Sequence, residues 1–329
     1  MTKQTRLWVS MVVLLVATGV AGAADSSADA NAPKTPEYPD KASASERKAL
    51  DALAREVDGA ITFARHNKIY VVGIGHWKPI ELGSGQYARF SPDGDSLAVY
   101  DRGKVYQVRV ADGERKLLAK DADSKDGCPV EFHPDGKDVL YWTKRDGFRG
   151  ANVRTGKTRK LKLPAKYSGS AGLSADGNQM AVRWGHSLYA VDISSGQHRK
   201  YARGCSPGVS PDGKWLMNND GSHRSMTIRP WSGEGKKRKI DVRTCKPDRK
   251  WDNHHWSNHN DYIAAQGDGK QHEAYVVRVS ENRCTRVSWM GKVGYPDVWI
   301  RPVTEADHEE EKNDDDGKAA GKKDSDGRE

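Results

Sequence analysis

Three histidines, His254, His255 and His259, stand within six positions in the stretch from Trp251 to Gln266. Imidazole nitrogens are common ligands of Zn²⁺ and other transition metals, so this density raises the hypothesis of a metal centre. Neighbouring residues of a β-strand point to opposite faces, however, so His254 and His255 are not expected to share one ion if they lie on a strand. The competing hypothesis is that the stretch is one copy of a repeat.

A seven-residue pattern supports the repeat. Four clear copies occur, ARFSPDG (88–94), VEFHPDG (130–136), AGLSADG (171–177) and PGVSPDG (207–213), and HHWSNHN (254–260) is a fifth. The large apolar position of each copy recurs at Phe90, Phe132, Leu173, Val209 and Trp256, and Val298 continues the series. A period of about 40 residues with several strands per unit is typical of a β-propeller blade.

The repeated residues favour one type of turn. Ser, Pro, Asp and Gly in succession suit a type I turn that continues into a left-handed residue. We therefore predict structural turns at Asp93, Gly94, Asp135, Gly136, Asp176, Gly177, Asp212 and Gly213. Each copy is followed by three further strand patterns. Residues 61–82 supply three strands and residues 294–300 supply one, which predicts an all-β, six-bladed propeller over residues 60–302, closed by both ends of the chain.

These repeats resemble the TolB-like, WD-repeat-like β-propeller family, whose blades carry the S-P-D-G turn. The resemblance covers Ala60 to Pro302. It implies the fold, but it says little about function, because such propellers serve both as binding modules and as accessory domains of peptidases. No hydrolase domain follows the repeats, so a peptidase is not expected.

The flanking segments predict an exported protein. Lys3 and Arg6 precede an apolar run and small residues, which indicates a signal peptide over residues 1–23 and a periplasmic or secreted location. Residues 24–59 are expected to form a linker and a short helix that starts at a Ser43–Glu46 capping box and ends at Gly59. Residues 303–329 predict a disordered charged tail. No transmembrane segment is expected in the mature chain.

The charge balance suggests anionic partners. The chain has 54 Lys and Arg against 45 Asp and Glu, and because the tail is acidic the body is more basic than the whole. An exported basic body favours an anionic envelope component, an acidic polysaccharide or an acidic protein face over nucleic acid. A solvated charged surface is the competing interpretation.

The cysteines and one serine carry weaker signals. Cys128, Cys205, Cys245 and Cys284 could form disulfides in an oxidising compartment, with three connectivities open, or remain buried thiols. Residues 204–208 match the G-x-S-x-G letters around Ser206. A nucleophile elbow needs a following helix, however, and here a propeller strand follows, so catalysis by Ser206 is not expected.

The repeat alignment assigns each histidine a place. His259 falls in the turn, and His254 shares the packing face of Trp256. His255 aligns with Arg89, Glu131 and Asp297, a polar ring that could line the channel and bind a ligand. We predict no cofactor. The alternative is a divalent metal at His255, as in some propeller polysaccharide lyases that act on oligogalacturonides. This chain resembles those lyases only in its propeller architecture and its histidines.

Aromatic residues complete the binding hypothesis. Trp77, Trp231, Trp251 and Trp289 fall in predicted turns or loops and could act as platforms for a ligand, although burial between blades is the favoured interpretation. Basic connections occur in TKRDGFRG, GEGKKRK and RTCKPDRKW, where Trp251 beside Arg243 and Arg249 is the predicted anchor. The sequence thus predicts a non-catalytic binding propeller, with a metal-dependent polysaccharide lyase as the alternative.

Overall fold

The computed structural model describes most of residues 38–303. The described ranges are 38–124, 127, 129–164, 167–241, 245, 248, 250–269 and 271–303, with the backbone alone for 168–170. The predictions for the signal peptide, most of the linker and the acidic tail from residue 304 onwards lie outside the described residues. So do those for Cys128, Arg243 and Arg249.

One helix precedes the propeller. Helix α1 spans Ala44–Glu56, and Ser43 and Glu46 form the expected capping box. Its buried face carries Leu50 and Leu53, which pack against residues of the fifth and sixth blades. Gly59 does not end the helix, because Val57 already has an extended backbone. Gly59 instead begins the first strand, where a β-carbon would lie 2.1 Å from the Trp299 carbonyl oxygen.

Twenty-four strands form six sheets of four. In chain order they are β1 (Gly59–Arg65), β2 (Lys68–Gly73), β3 (His76–Ser84), β4 (Tyr87–Phe90), β5 (Ser96–Asp101), β6 (Lys104–Arg109), β7 (Arg115–Ala119), β8 (Val130–Phe132), β9 (Asp138–Thr143), β10 (Gly147–Asn152), β11 (Thr158–Lys160), β12 (Ser168–Leu173), β13 (Gln179–Trp184), β14 (Ser187–Asp192), β15 (His198–Arg203), β16 (Cys205–Val209), β17 (Trp215–Asn219), β18 (Ser225–Pro230), β19 (Arg238–Asp241), β20 (Trp251–Trp256), β21 (Tyr262–Gly267), β22 (Ala274–Arg278), β23 (Arg283–Arg286) and β24 (Gly294–Ile300). Blades 1 to 5 are β4–β7, β8–β11, β12–β15, β16–β19 and β20–β23, and blade 6 is β24 with β1–β3. All pairs within a blade are antiparallel.

The ring closes as predicted. The first strands of the blades contact one another in the order β24, β4, β8, β12, β16, β20 and back to β24. Within blade 6, β24 pairs with β1 so that Ile61 faces Val298 and Gly59 faces Ile300. Closure leaves no blade with an open first strand and buries the apolar residues between neighbouring sheets. No helix among the described residues is long and apolar enough to cross a membrane.

The two ends of the propeller differ. At the end that we call the turn end, each innermost strand runs into its S-P-D-G turn, and the turn between the third and fourth strands packs beside it, as in the Val110 to Asp95 backbone hydrogen bond. The opposite end, called the connection end, holds the middle turn of each blade and the links between blades. A hydrogen bond from Ala122 to the Gly103 carbonyl joins such a link to such a turn.

The turns follow one hydrogen-bonding plan. Four aspartates, Asp93, Asp135, Asp176 and Asp212, each accept a hydrogen bond from the backbone N–H two residues later. The glycines that follow, Gly94, Gly136, Gly177 and Gly213, have φ between +69° and +80°, the left-handed region in which glycine carries no steric cost. In the fifth copy His259 Nδ1 accepts the same bond from Asp261. His259 is therefore a turn residue.

Candidate functional site

The innermost strands bring one residue of each blade to the centre of the ring. This residue precedes the large apolar position of the repeat, and the period-two alternation of a strand turns it away from the packing face. The six are Arg89, Glu131, Gly172, Gly208, His255 and Asp297. Blades 3 and 4 contribute only glycines, and a β-carbon on Gly172 would lie 3.1 Å from Gly208 Cα. The polar groups therefore come from the other four blades.

Four of these residues form one connected cluster, which we call the channel quartet: Arg89, Glu131, His255 and Asp297. His255 Nδ1 lies 2.8 Å from Asp297 Oδ1, and His255 Nε2 lies 2.8 Å from Glu131 Oε2. Arg89 Nε is 3.8 Å from the same Glu131 oxygen. The second Asp297 oxygen accepts the backbone N–H of Phe90 at 2.9 Å. Each link joins different blades across the channel.

The electrostatics of the quartet favour two cations and two anions. Burial and Arg89 oppose protonation of His255, but Glu131 and Asp297 outweigh them and raise its pKa above the ordinary value. Burial alone would raise the pKa of Asp297, whereas His255, Arg89 and the Phe90 N–H lower it. The Arg89 side chain is only 2% exposed. The quartet is thus buried and its charges compensate one another.

A cavity of about 170 Å³ opens above the quartet at the turn end. Its floor includes Glu131, His255 and Asp297. Its wall is formed by residues of the turns and of the packing positions, among them Pro92, Pro134, Pro211, Trp256 and Trp299. Because the wall is mostly apolar and the charges of the floor compensate one another, the cavity suits a group of low charge, either small or extended, better than a highly charged one.

The three histidines occupy different places in the fold. Both ring nitrogens of His255 lie at hydrogen-bond distance from carboxylates, so neither offers a lone pair to an ion in this arrangement. His254 is 3% exposed on the opposite face. Burial, then His223 and His255, lower the pKa of His254 to about 3, so it is neutral. His259 is held in its turn.

The placement of Trp251 in a loop is wrong. Trp251 begins β20 and is fully buried, and its neighbours in the core include Met226, Ile240 and Cys245. It therefore cannot act as an exposed platform or anchor. The loop placement of Trp77 is wrong as well, because Trp77 lies in β3 and is fully buried in one cluster with Leu50 and Leu53 of helix α1. Trp289 is 9% exposed in the same cluster. Trp231 is half-buried and packs near the Arg199 guanidinium, 5.9 Å from its ring centre.

The cysteines divide into two groups. Cys245 and Cys284 form a disulfide that ties the start of blade 5 to its outer strand. Cys205 is a free thiol. It lies at the connection end near His223 and Asp252, a grouping that sequence analysis missed because the three residues follow no recognised spacing. Ser206 beside it belongs to β16, and its hydroxyl donates to Asp252, so it is not on a nucleophile elbow.

The basic connections are divided between the two ends of the propeller. TKRDGFRG contains the β9–β10 turn, and Cys245, Asp248 and Lys250, described residues of RTCKPDRKW, precede β20, so these parts belong to the connection end. GEGKKRK joins β18 to β19 and belongs to the turn end. Exposed bases of the connection end include Arg102, Lys104, Lys120, Lys144, Arg145, Lys162, Arg224 and Lys250. At the turn end several arginines face acids, as Arg109 does with Asp112 and Arg278 does with Asp261.

Comparison with known proteins supports the fold. No family model and no curated protein sequence matches the chain. Among solved structures, TolB from Acinetobacter baumannii aligns over 73% of this chain and 66% of its own length, with 16% identity and a TM-score of 0.58. A TolB protein of Agrobacterium tumefaciens aligns over 75% of this chain and 99% of its own, with 15% identity and a TM-score of 0.53.

A structure of a nidogen/laminin complex also matches, over 74% of this chain and 98% of that chain, with 11% identity and a TM-score of 0.55. Identities this low carry the architecture and not the activity. The TolB neighbours are β-propellers, in agreement with the ring of six four-stranded blades described above. In its fold, this chain is a TolB-like six-bladed β-propeller.

Proposed function

We propose that this protein is an exported, non-catalytic binding propeller that holds an anionic partner at its connection end. The observation that carries the proposal is the set of exposed bases there, which we call the basic rim: Arg102, Lys104, Lys120, Lys144, Arg145, Lys162, Arg224 and Lys250. They come from the middle turns and interblade links, and loops on a rigid scaffold are where binding surfaces commonly lie.

The contrast between the ends favours this location. The turn end places an aspartate in most of its S-P-D-G turns, and its arginines are partly neutralised, as in the 2.6 Å contact of Arg109 with Asp112. Acids also occur at the basic rim, where Arg102 Nε lies 3.7 Å from Asp101, so the proposal depends on the number of exposed bases there. Exposed charges are screened over about 8 Å at physiological salt, so the rim would give attraction and fast encounter, with strong sensitivity to salt.

The channel quartet supports a non-catalytic role. A lyase of the metal-dependent type would need a metal or a poised base beside an acidic sugar. His255 has both nitrogens at hydrogen-bond distance from carboxylates, and the charge-compensated quartet has no excess positive charge to draw a polyanion into the channel. The metal-dependent lyase, our alternative from the sequence, therefore has no observation in its favour at His255.

A pair of charge-reversed variants tests the proposal. The first carries Lys144→Glu, Arg145→Glu and Lys162→Glu in the basic rim, and the matched control carries Lys157→Glu, Lys236→Glu and Lys237→Glu at the turn end. All six residues are exposed and both variants change the net charge equally. Binding to polygalacturonate and to vesicles containing phosphatidylglycerol is measured by cosedimentation at several salt concentrations.

We expect binding to one of these probes that weakens as salt rises. The rim variant should bind about tenfold more weakly or worse, because each reversed contact is worth roughly 0.5–1 kcal/mol, and the control should bind nearly as well as the original protein. Equal loss in both variants would mean that only net charge matters. Absence of binding to either polyanion at low salt would refute the proposal.

Mass measurement of the mature N-terminus tests export, with a start near residue 24 expected.

A further inference from the structure

A second group of side chains at the connection end has the composition of a metal site. Cys205 begins β16, Asp252 is the second residue of β20, and His223 lies in the turn between β17 and β18. Cys205 Sγ lies 3.5 Å from His223 Nε2 and 3.8 Å from Asp252 Oδ1. One ligand atom from each residue thus lies within 4.8 Å of the others. The group joins blade 4 to blade 5.

The two separations from Cys205 Sγ are close to those of tetrahedral coordination. Zn²⁺ binds thiolate sulfur at about 2.3 Å and imidazole nitrogen or carboxylate oxygen at about 2.0–2.2 Å, so neighbouring ligand atoms of a tetrahedral site lie roughly 3.3–3.6 Å apart. The two distances from Cys205 Sγ are within a few tenths of an ångström of that range. Small side-chain adjustments would therefore seat an ion without movement of the blades.

The surroundings resemble the outer shell of a metal site. His223 presents Nε2 to the cysteine, while its Nδ1 lies 3.5 Å from a carboxylate oxygen of Asp268. A carboxylate behind the second nitrogen of a ligating imidazole is a common outer-shell arrangement. Asp252 Oδ1 accepts hydrogen bonds from Ser206 Oγ at 3.2 Å and from the Asn253 N–H at 2.9 Å. Both contacts hold the carboxylate beside the thiol.

The neighbouring His254 adds an independent observation. It is 3% exposed, yet neither of its ring nitrogens makes a hydrogen bond of normal geometry to a described residue. A buried imidazole whose hydrogen bonding is incomplete is costly. His254 is next but one to Asp252 on β20, and its imidazole contacts the backbone of Ser206, the residue after Cys205.

We propose that Cys205, His223 and Asp252 bind a divalent transition metal ion of the zinc class. The Cys205 thiolate, His223 Nε2 and an Asp252 oxygen are the three ligands, and water or His254 takes the fourth position. The thiolate excludes Mg²⁺ and Ca²⁺, which prefer all-oxygen sites. The proposal is separate from anion binding by the basic rim, and the ion would pin blades 4 and 5 together.

Metal analysis and cobalt titration test the site. The full mature protein is stripped with a chelator, and Zn²⁺ or Co²⁺ is added back alone. We expect one equivalent of either ion, with the near-ultraviolet thiolate-to-cobalt absorption and the intense visible bands of tetrahedral Co²⁺. Cys205→Ser should abolish the near-ultraviolet absorption. Asp268→Asn should weaken binding about 10–100-fold, because it removes the outer-shell partner.

Matched histidine variants identify the ligand. His223→Gln should weaken Co²⁺ binding at least as strongly as Asp268→Asn, whereas His255→Gln in the channel and His259→Gln in the turn should leave it unchanged. Circular dichroism and melting curves establish that each variant is folded. The proposal is overturned if no equivalent of Co²⁺ binds, if the thiolate absorption survives in Cys205→Ser, if His255→Gln removes it, or if mass spectrometry of the purified protein finds Cys205 in a disulfide with Cys128.

Discussion

Replacing His255 with Gln should destabilise the propeller strongly, because the His255 ring lies within hydrogen-bond distance of both acids of the channel quartet. The side chains of His255, Glu131 and Asp297 are 13%, 12% and 6% exposed, so solvent cannot replace the lost charge well. Removing one partner from a buried ionic group costs about 3–5 kcal/mol. For a domain of this size that corresponds to a fall in Tm of roughly 6–20 °C.

The pH dependence provides a second, independent readout. The pKa of His255 is raised in the folded state, so its contribution is fully present below the unfolded value of about 6.5 and is lost as pH rises through the folded value. The pKa of Asp297 is lowered, so its contribution is present above about 3.8 and is lost as pH falls through the folded value. The quartet should therefore stabilise the ring most between about pH 4 and 6.5.

The assay is urea unfolding followed by tryptophan fluorescence from pH 5 to pH 9. The original protein should lose stability as pH rises above about 6.5, and His255→Gln should lack that component. His186→Gln is the control, because His186 is an exposed residue of the β13–β14 turn and should change stability by no more than about 0.5 kcal/mol. Our account of the quartet fails if His255→Gln unfolds within about 1 kcal/mol of the original protein and keeps the same pH profile.

Two truncations and one substitution probe the closure of the ring. Truncation before Gly294 removes β24 and should lower Tm by several degrees or more, because the β1–β24 ladder is lost. Truncation after residue 303 is the control and should leave Tm unchanged. If both truncated proteins melt at the same temperature, closure by β24 is contradicted. Gly59→Ala should destabilise by about 1–3 kcal/mol, because its β-carbon would overlap the Trp299 carbonyl and φ at this position is +156°. A Gly59→Ala protein with unchanged urea unfolding would show that β1 and β24 are less closely paired than described here.

The fold could be predicted because each blade repeats a local turn chemistry. Even the divergent copy at residues 257–260 was recognisable, since His259 supplies the acceptor that aspartate supplies elsewhere. Trp251 was misplaced because the basic segment before it has the composition of a loop, whereas β20 begins at this residue. The packing of helix α1 over Trp77 could not be predicted either, because the helix lies outside the repeats and its packing partner cannot be inferred from their period.

The sites depend on distances across the ring, which the repeat pattern does not contain. The alignment placed Arg89, Glu131, His255 and Asp297 at equivalent positions, but the contact of one imidazole with two carboxylates requires the channel radius and the side-chain directions. Cys205, His223 and Asp252 occupy three separate elements: an inner strand, a turn and the inner strand of the next blade. Only the register of neighbouring blades brings them together, so no spacing in the sequence signals them.

The pairing of β24 with β1 also determines how the molecule must come apart. In an open repeat array the terminal units have one neighbour and can fray separately. Here each blade has a neighbour on both sides, because β24 contacts both β20 and β4. Losing one blade therefore breaks two interfaces, and the unfolding of the ring should approach a single cooperative step. The pairing of β24 with β1, which are far apart in the sequence, should also make folding slow, because the first and last strands of the propeller must meet before the ring is complete.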